Sequence, residues 1–131
     1  MRNTPYIIFE ENTGMNTRER GRFGEAIAEE FLNKKDYHTI AKSWRSRFGE
    51  IDLIVKNREY LVFVEVKLRK NANFAHAREY VGREKQGKLR ATASLWLASH
   101  PTGLQPRFDV IEIYLPDENS EPEIIHIENA F

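Results

Sequence analysis

Two carboxylates and a lysine stand out because they interrupt segments that otherwise have the composition of β-strands. Asp52 lies in one such segment, and Glu65 and Lys67 lie in the next. Acidic residues are poor strand formers and are seldom buried without a partner. Because side chains alternate along a strand, Glu65 and Lys67 are predicted to face one side of a sheet, with Val64 and Val66 facing the other.

A β-hairpin between the two segments would bring the carboxylates together. If residues 58–59 are the centre of the turn, Asp52 lies opposite Glu65 and Glu50 lies opposite Lys67. Opposed side chains share a face of the sheet, with Cβ atoms about 4.5–5.5 Å apart. Two carboxylates at that separation repel each other unless a proton or a cation lies between them.

A divalent metal ion, Mg²⁺ or Mn²⁺, is the cation that this pair predicts, because Mg²⁺ prefers oxygen ligands and keeps several waters. The backbone carbonyl of Val66 can add a further oxygen to the carboxylates of Asp52 and Glu65. Lys67 can stabilise negative charge on a phosphate or help to position an attacking water. Oxygen ligands beside a cation suit phosphodiester hydrolysis rather than redox or thiol chemistry. The alternative is a salt-bridge ladder or a purely structural cluster, neutralised by Lys67 and Arg69.

The hydrophobic pattern predicts the elements that must position these residues. They are a helix at 17–35, strands at 37–44, 50–56 and 60–68, a helix at 77–99, a strand at 107–115 and a short strand at 124–127. Gly21 and Gly24 favour a start of the first helix nearer residue 24. The order predicts an α/β fold, a mixed sheet flanked by helices. Residues 1–16 are expected to be a weakly structured extension, and 17–131 a single domain.

Composition excludes several classes of protein. The chain has 131 residues and no cysteine, which excludes disulfide scaffolds, thiolate zinc sites and cysteine nucleophiles. No apolar run approaches the roughly 20 residues that span a bilayer, so we expect a cytoplasmic protein with no membrane partner. The formal net charge is zero, but residues 34–107 hold sixteen Lys and Arg against seven Asp and Glu. That basic section suits a phosphate backbone, or it is an ordinary solvated surface.

Several blocks of sequence together resemble a known nuclease family. The Gly-Glu-Ile-Asp-Leu-Ile segment at 49–54 and the Phe-Val-Glu-Val-Lys segment at 63–67 resemble the PD-(D/E)XK nuclease superfamily. The matching blocks at 21–25, 44–47, 81–86 and 107–110 are similar to the YraN family of uncharacterised predicted endonucleases, which are related to archaeal Holliday-junction resolvases. The resemblance implies a restriction-endonuclease-like αβββαβ core and a metal-dependent endonuclease acting on DNA, including branched DNA. A homodimer is expected by analogy.

The resemblance also implies roles for individual residues. Asp52 and Glu65 correspond to the metal-binding acids, Lys67 to the catalytic lysine, and Glu25 to a helix glutamate that joins such sites. Without the resemblance, Glu25 is a surface residue near a helix N-terminus. The candidates for contact with nucleic acid are Arg22, Arg45, Arg47, Arg69, Lys85 and Gln86.

Three observations leave alternatives open. Trp44 can stack on a base or anchor the core. Leu68 and Ala75 replace a small hydroxyl residue and a glycine that are usual in the family. The zero net charge and the acidic segment 108–131, which has no Lys or Arg and seven Asp and Glu, favour an alternative function: a catalytically inactive module that binds nucleic acid or a protein partner on a nuclease fold.

Overall fold

The computed structural model describes residues 17–69, 81–116 and 120–131, which form one mixed β-sheet with a helix on each face. The elements in chain order are α1 (Thr17–Lys34), β1 (His38–Ser46), β2 (Gly49–Lys56), β3 (Tyr60–Arg69), α2 (Arg83–Ser99), β4 (Gln105–Tyr114) and β5 (Glu123–Ile127). The strand order is β1-β2-β3-β4-β5, and β3 and β4 are parallel neighbours joined through α2. The predicted α/β class and element order are confirmed, and the sheet is consistent with the restriction-endonuclease-like core that the resemblance implies.

The face of the sheet beneath α1 forms the first hydrophobic core. Ile27 and Leu32 of α1 are buried there, and Phe23 and Phe31 pack against the same cluster. These residues recur at helical spacing, which is why this segment forms an amphipathic helix. The strands contribute Leu53, Val55, Val62, Val64, Ile111 and Ile113.

The opposite face carries α2 and the second core. Leu89, Ala93 and Trp96 of α2 are buried against Phe63 of β3. Trp44 packs edge-on against Trp96 with ring centroids 5.3 Å apart, which supports the interpretation of Trp44 as a core anchor. Because both faces of β3 are covered, its side chains are apolar on both sides as far as Val64.

The hairpin of β2 and β3 has the predicted register. The pairs Leu53–Val64, Ile54–Phe63, Val55–Val62 and Lys56–Leu61 are those that a turn centred on 58–59 requires. The side chain of Asn57 accepts hydrogen bonds from the backbone of Glu59 and Tyr60, which stabilises that turn.

The start of α1 at Thr17 is the one that the predicted helix at 17–35 has, and the alternative start nearer Gly24 is wrong. Gly24 packs on β3, where a Cβ would lie in ordinary contact, 3.4 Å from Cβ of Leu68. The start of α2 differs from the prediction. α2 begins at Arg83, after Gly82 in an extended conformation. The predicted helix at 77–99 is therefore wrong at residues 81–82, and its first residues, 77–80, lie outside the described residues.

The expected extension at 1–16 and the family departure at Ala75 also lie outside the described residues. Within the described ranges, neither helix is long and apolar enough to cross a membrane.

Candidate metal centre

The candidate site lies where β2 and β3 separate. Their described pairing ends at Leu53–Val64, while β2 continues back to Gly49 beside β1 and β3 continues forward beside β4. Asp52 is the first residue of β2 beyond the last pair. Its Oδ2 accepts a hydrogen bond of 2.8 Å from the backbone N–H of Val66, so a carboxylate replaces a ladder carbonyl at this fork.

Helix α1 brings Glu25 to the same fork. Gly24 packs against Leu68 of β3, and the next residue, Glu25, is half-buried and lines one groove with Asp52. Its Oε1 accepts a hydrogen bond of 3.1 Å from Oγ of Ser43 on β1. The helix glutamate that the resemblance implies therefore lies beside Asp52 in space.

A local irregularity in β1 makes the contact of Ser43 with Glu25 possible. Consecutive side chains of a regular strand face opposite sides, yet Lys42 and Ser43 both contact α1, at Glu29 and Glu25 respectively. Ser43 has φ of 50°, in the left-handed region that L-residues rarely adopt. Backbone strain of this kind persists where surrounding contacts hold it, and it often accompanies functional sites.

Three carboxylates form what we call the acid triangle: Glu25, Glu50 and Asp52. One oxygen from each lies within 4.8 Å of the others, close enough for all three to contact one ion. Glu50 was predicted to lie opposite Lys67. It shares a site with Asp52 instead, because β2 has left β3 at this level. Alternation along β2 alone could have placed Glu50 and Asp52 on one side.

Glu65 lies next to the acid triangle and is held by a lysine. It is buried, with 7% of its surface exposed, and its Oε2 accepts a hydrogen bond of 2.7 Å from Nζ of Lys85 on α2. Glu65 thus faces α2, while Val64 and Val66 pack into the core beneath α1, as strand alternation predicts. Lys85 belongs to the second-helix block that the resemblance singles out.

The electrostatics of Asp52 show that the carboxylates interact strongly. Burial and, after it, the negative charge of Glu65 together raise the pKa of Asp52 from 3.8 to about 8. Burial also raises the pKa of Glu25, an effect that the hydrogen bond from Ser43 opposes and the charge of Glu50 reinforces. Where burial and like charges raise the pKa of carboxyl groups, a bound cation would relieve the repulsion.

Lys67 is half-buried at the level of Glu112 on β4. Burial lowers its pKa, the charge of Glu65 opposes that change, and the neighbouring charge of Lys85 lowers the pKa further. The pKa of Lys85 is raised, because its hydrogen bond to Glu65 and the charge of that residue outweigh the lowering effect of burial.

Arginines surround the acid triangle. Arg18, Arg22 and Arg45 line the same surface groove as Glu25 and Asp52, and all three arginines are exposed. Nε of Arg45 lies 3.5 Å from Oε1 of Glu50. Arg18 was not among the residues singled out in the sequence.

The remaining candidates have different surroundings. Arg47 is exposed at the tip of the β1–β2 hairpin. Nε of Arg69 is buried without a hydrogen-bond partner. The side-chain amide of Gln86 donates to the carbonyl of Val81 at 2.8 Å, so it is engaged at the start of α2.

The donor set fits a hard divalent cation. The acid triangle and Glu65 offer carboxylate oxygens, the ligands that Mg²⁺ and Mn²⁺ prefer, and the four side chains come from three different elements. The carbonyl of Val66 as an additional ligand stays a prediction.

Lys85→Met is expected to tighten Mn²⁺ binding by about tenfold, because the ammonium group competes with a divalent ion for Glu65. Titration calorimetry at low ionic strength measures this change. Lys88→Met is the matched control, since Lys88 is on the same helix and pairs with Glu84 instead. Equal or weaker Mn²⁺ binding by Lys85→Met would show that Glu65 does not contact the ion.

Comparison with known proteins places the chain in a family. The sequence profile described as "Uncharacterised protein family UPF0102" matches residues 24–113. A UPF0102 protein of Caldanaerobacter subterraneus is 41% identical over 119 residues, covering 89% of this chain and 98% of its own length. A UPF0102 protein of Clostridioides difficile is 41% identical over 118 residues, covering 89% and 100%. One from Aliivibrio fischeri is 38% identical over 118 residues, covering 88% and 93%. The chain therefore belongs to the UPF0102 family, the YraN family that its motifs indicate.

Proposed function

We propose that this protein is a metal-dependent endonuclease that hydrolyses phosphodiester bonds of DNA, with branched DNA among its substrates. The observation that carries the proposal is the acid triangle at the fork between β2 and β3, with Glu65 lining one groove with Glu25 and Asp52. The charge of Glu65 acts on both Asp52 and Lys67, which links the lysine to these acids. Phosphodiester hydrolysis requires a cation to neutralise the charge of the phosphate, and this site concentrates oxygen ligands beside an amine.

The side chains divide the work of the proposed reaction. Asp52, Glu25 and Glu65 would hold Mg²⁺ or Mn²⁺. A bound ion would acidify a water molecule and polarise the phosphate. Lys67 would contact a phosphate oxygen and stabilise the negative charge that develops there. Because Lys67 is half-buried, its charge is screened less by water than that of a surface lysine.

Charge supports DNA as the substrate. Arg18, Arg22 and Arg45 form an exposed basic border around an acidic centre. Such a border attracts the phosphate backbone and predicts affinity that falls as the salt concentration rises. We place this activity in the cytoplasm, and a homodimer stays a prediction by analogy.

Cleavage by Lys67→Met tests the proposal. Wild-type protein is expected to cleave linear, flapped or four-way DNA in Mg²⁺ or Mn²⁺ and to stop when EDTA is added. Lys67→Met is expected to cleave about 100-fold more slowly, because one electrostatic contact to the reacting phosphate is lost. Its affinity for Mn²⁺ should change little, since Lys67 is not a ligand.

Lys34→Met controls for loss of a lysine, because Lys34 is exposed on α1 and pairs with Glu30. Equal cleavage by wild type and Lys67→Met would indicate a contaminating nuclease. Absence of cleavage on every DNA in both metals would reject the endonuclease proposal.

A second candidate function is a DNA-binding module without catalysis. The ion pair between Lys85 and Glu65, at 2.7 Å, favours it, because a lysine already neutralises one of the four acids. Salt-sensitive binding of DNA without cleavage, together with no calorimetric signal for Mn²⁺, would support this second function.

A further inference from the structure

An aromatic side chain is exposed at the tip of the β1–β2 hairpin. Phe48 is 40% exposed, and it is the aromatic member of the four large apolar side chains that the described residues expose. The guanidinium of Arg47 lies 4.7 Å from the centre of its ring. Isolated exposed apolar residues are common, so exposure alone says little. The position of Phe48 beside exposed arginines is what distinguishes it.

The tip is anchored and therefore holds Phe48 in a defined place. Oγ of Ser46 accepts a hydrogen bond of 3.0 Å from the N–H of Phe48 and lies 2.8 Å from Oγ1 of Thr92. Thr92 is fully buried on α2, and its hydroxyl donates to the carbonyl of Lys88 at 2.9 Å. This chain of hydrogen bonds ties the hairpin tip to α2.

The tip is also close to the acid triangle. Phe48 precedes Glu50 by two residues, an advance of about 7 Å along an extended chain. That distance corresponds to about two stacked bases of one DNA strand. Arg45 lies between the tip and the acids, with its Nε 3.5 Å from Oε1 of Glu50. A DNA strand with one phosphate at the acid triangle would bring nearby bases to Phe48.

We propose that Phe48 stacks on an unpaired base close to the phosphate at the acid triangle, and that the protein thereby prefers DNA with unstacked bases over continuous duplex. This inference rests on the proposed action on DNA and deepens it. In a duplex the faces of the bases are covered by their neighbours, so an aromatic ring can stack on a base only after neighbouring bases are unstacked, which costs free energy. At a branch point, flap or single strand that face is already open, and stacking is independent of sequence.

The arginines complete this recognition. Arg45 lies in β1 just before the turn, Arg47 lies in the turn beside Phe48, and both are exposed. They can neutralise the phosphates that flank a base stacked on Phe48. An aromatic ring with nearby cations is the combination that proteins use to bind single-stranded nucleic acid.

Phe48→Ala tests the inference by binding, independently of cleavage. Fluorescence anisotropy in Ca²⁺ at one salt concentration gives the Kd for a four-way junction, a flap, a single strand and a linear duplex. Phe48→Ala is expected to weaken binding to the first three by about tenfold and to leave duplex binding unchanged. Phe48→Trp should restore the preference. Ile40→Ala and Leu95→Ala are matched controls, because both side chains are 38% exposed and apolar.

A fluorescent base analogue gives a second readout. 2-Aminopurine next to the branch point should be quenched by wild type and by Phe48→Trp, but not by Phe48→Ala. An unchanged preference in Phe48→Ala, or an equal loss on duplex and branched DNA, would overturn the role of Phe48 alone. Failure of the wild type to bind any of the four DNAs would overturn the proposed function with it. Selective binding in Ca²⁺, together with no cleavage in Mg²⁺ or Mn²⁺, would support Phe48 and reject the nuclease activity.

Discussion

Asp52→Asn is expected to abolish divalent-ion binding and to slow DNA cleavage by at least about 1,000-fold, while making the metal-free protein more stable at pH 8. The loss follows from the proposed site, because Asp52 belongs to the acid triangle and interacts with the charge of Glu65, so removing its charge would take a ligand from a bound ion. The gain in stability follows because burial and neighbouring charge make ionised Asp52 unfavourable in the folded state.

The pH dependence of the metal-free protein has a definite sign. The pKa of Asp52 rises from 3.8 in the unfolded chain to about 8 in the fold. The folded state therefore binds this proton more tightly, so its contribution to stability is complete below about pH 4 and is lost as the pH rises toward 8. A loss of about 3 kcal/mol between pH 5.5 and 8 is expected from this group, since each pKa unit corresponds to about 1.4 kcal/mol. Urea unfolding in EDTA measures it.

Mn²⁺ should reverse this loss in the wild type, whereas it should not stabilise Asp52→Asn, which lacks both the ionising group and the ligand. At a concentration 100 times its Kd, a ligand of the folded state adds about 2.7 kcal/mol of stability. Asp36→Asn is the matched control: Asp36 is exposed, with φ of 71°, a conformation that asparagine also tolerates. Mn²⁺ binding by Asp52→Asn equal to that of the wild type would contradict the metal site.

Local sequence patterns were enough to predict the packed face of α1 and the register of the β2–β3 hairpin. The spacing of Phe23, Ile27 and Phe31 specifies one face of α1, and that face is the one that packs on the sheet. The short turn at 57–59 fixes the register of β2 and β3, because a hairpin leaves few alternatives once its turn is known.

The start of α2 could not be predicted in the same way. Val81 has helical spacing from residues later in α2, which extended the predicted helix toward residue 77. In the fold, Val81 is buried in the second core before the helix begins, and Gly82 is extended, with φ of −70° and ψ of 165°. Burial against the sheet, a tertiary effect, therefore decides the conformation that periodicity assigned to a helix.

The candidate site was partly predictable for a similar reason. The acids Asp52 and Glu65 are visible in the sequence because they interrupt apolar strands. The part played by Glu50 depends on where β2 leaves β3, and the contact of Ser43 with Glu25 depends on one residue with positive φ. Alternation along β2 puts Glu50 and Asp52 on one side, but no local sequence pattern gives the point where β2 leaves β3 or the positive φ of Ser43.

Asp109→Asn is expected to have the opposite effect on stability, lowering the free energy of unfolding by about 3–5 kcal/mol at pH 7. Asp109 is buried in β4, and its Oδ2 accepts hydrogen bonds of 2.7 Å from Arg107 and from Nε2 of His126. Its Oδ1 accepts from Nε of Arg107 at 2.8 Å and from the backbone of Asn129 at 3.0 Å. An asparagine amide would direct N–H groups at donors, leaving Arg107 partly unpaired in the core.

The contribution of Asp109 to the free energy of unfolding changes with pH in the opposite direction to that of Asp52. Burial alone would raise the pKa of Asp109, but hydrogen bonds from His126 and Arg107 hold it below its usual value. Its contribution is therefore present above about pH 4 and is lost as the pH falls through the lowered pKa.

Urea unfolding of Asp52→Asn, Asp109→Asn and the exposed control Asp36→Asn in EDTA at pH 8 compares the effect of the surroundings of each carboxyl on stability. Replacing the carboxylate by an amide should stabilise the protein at Asp52, destabilise it at Asp109 and leave its stability unchanged at Asp36. A loss below 1 kcal/mol for Asp109→Asn would contradict this account, because a buried carboxylate among cations and one among carboxylates would then behave alike.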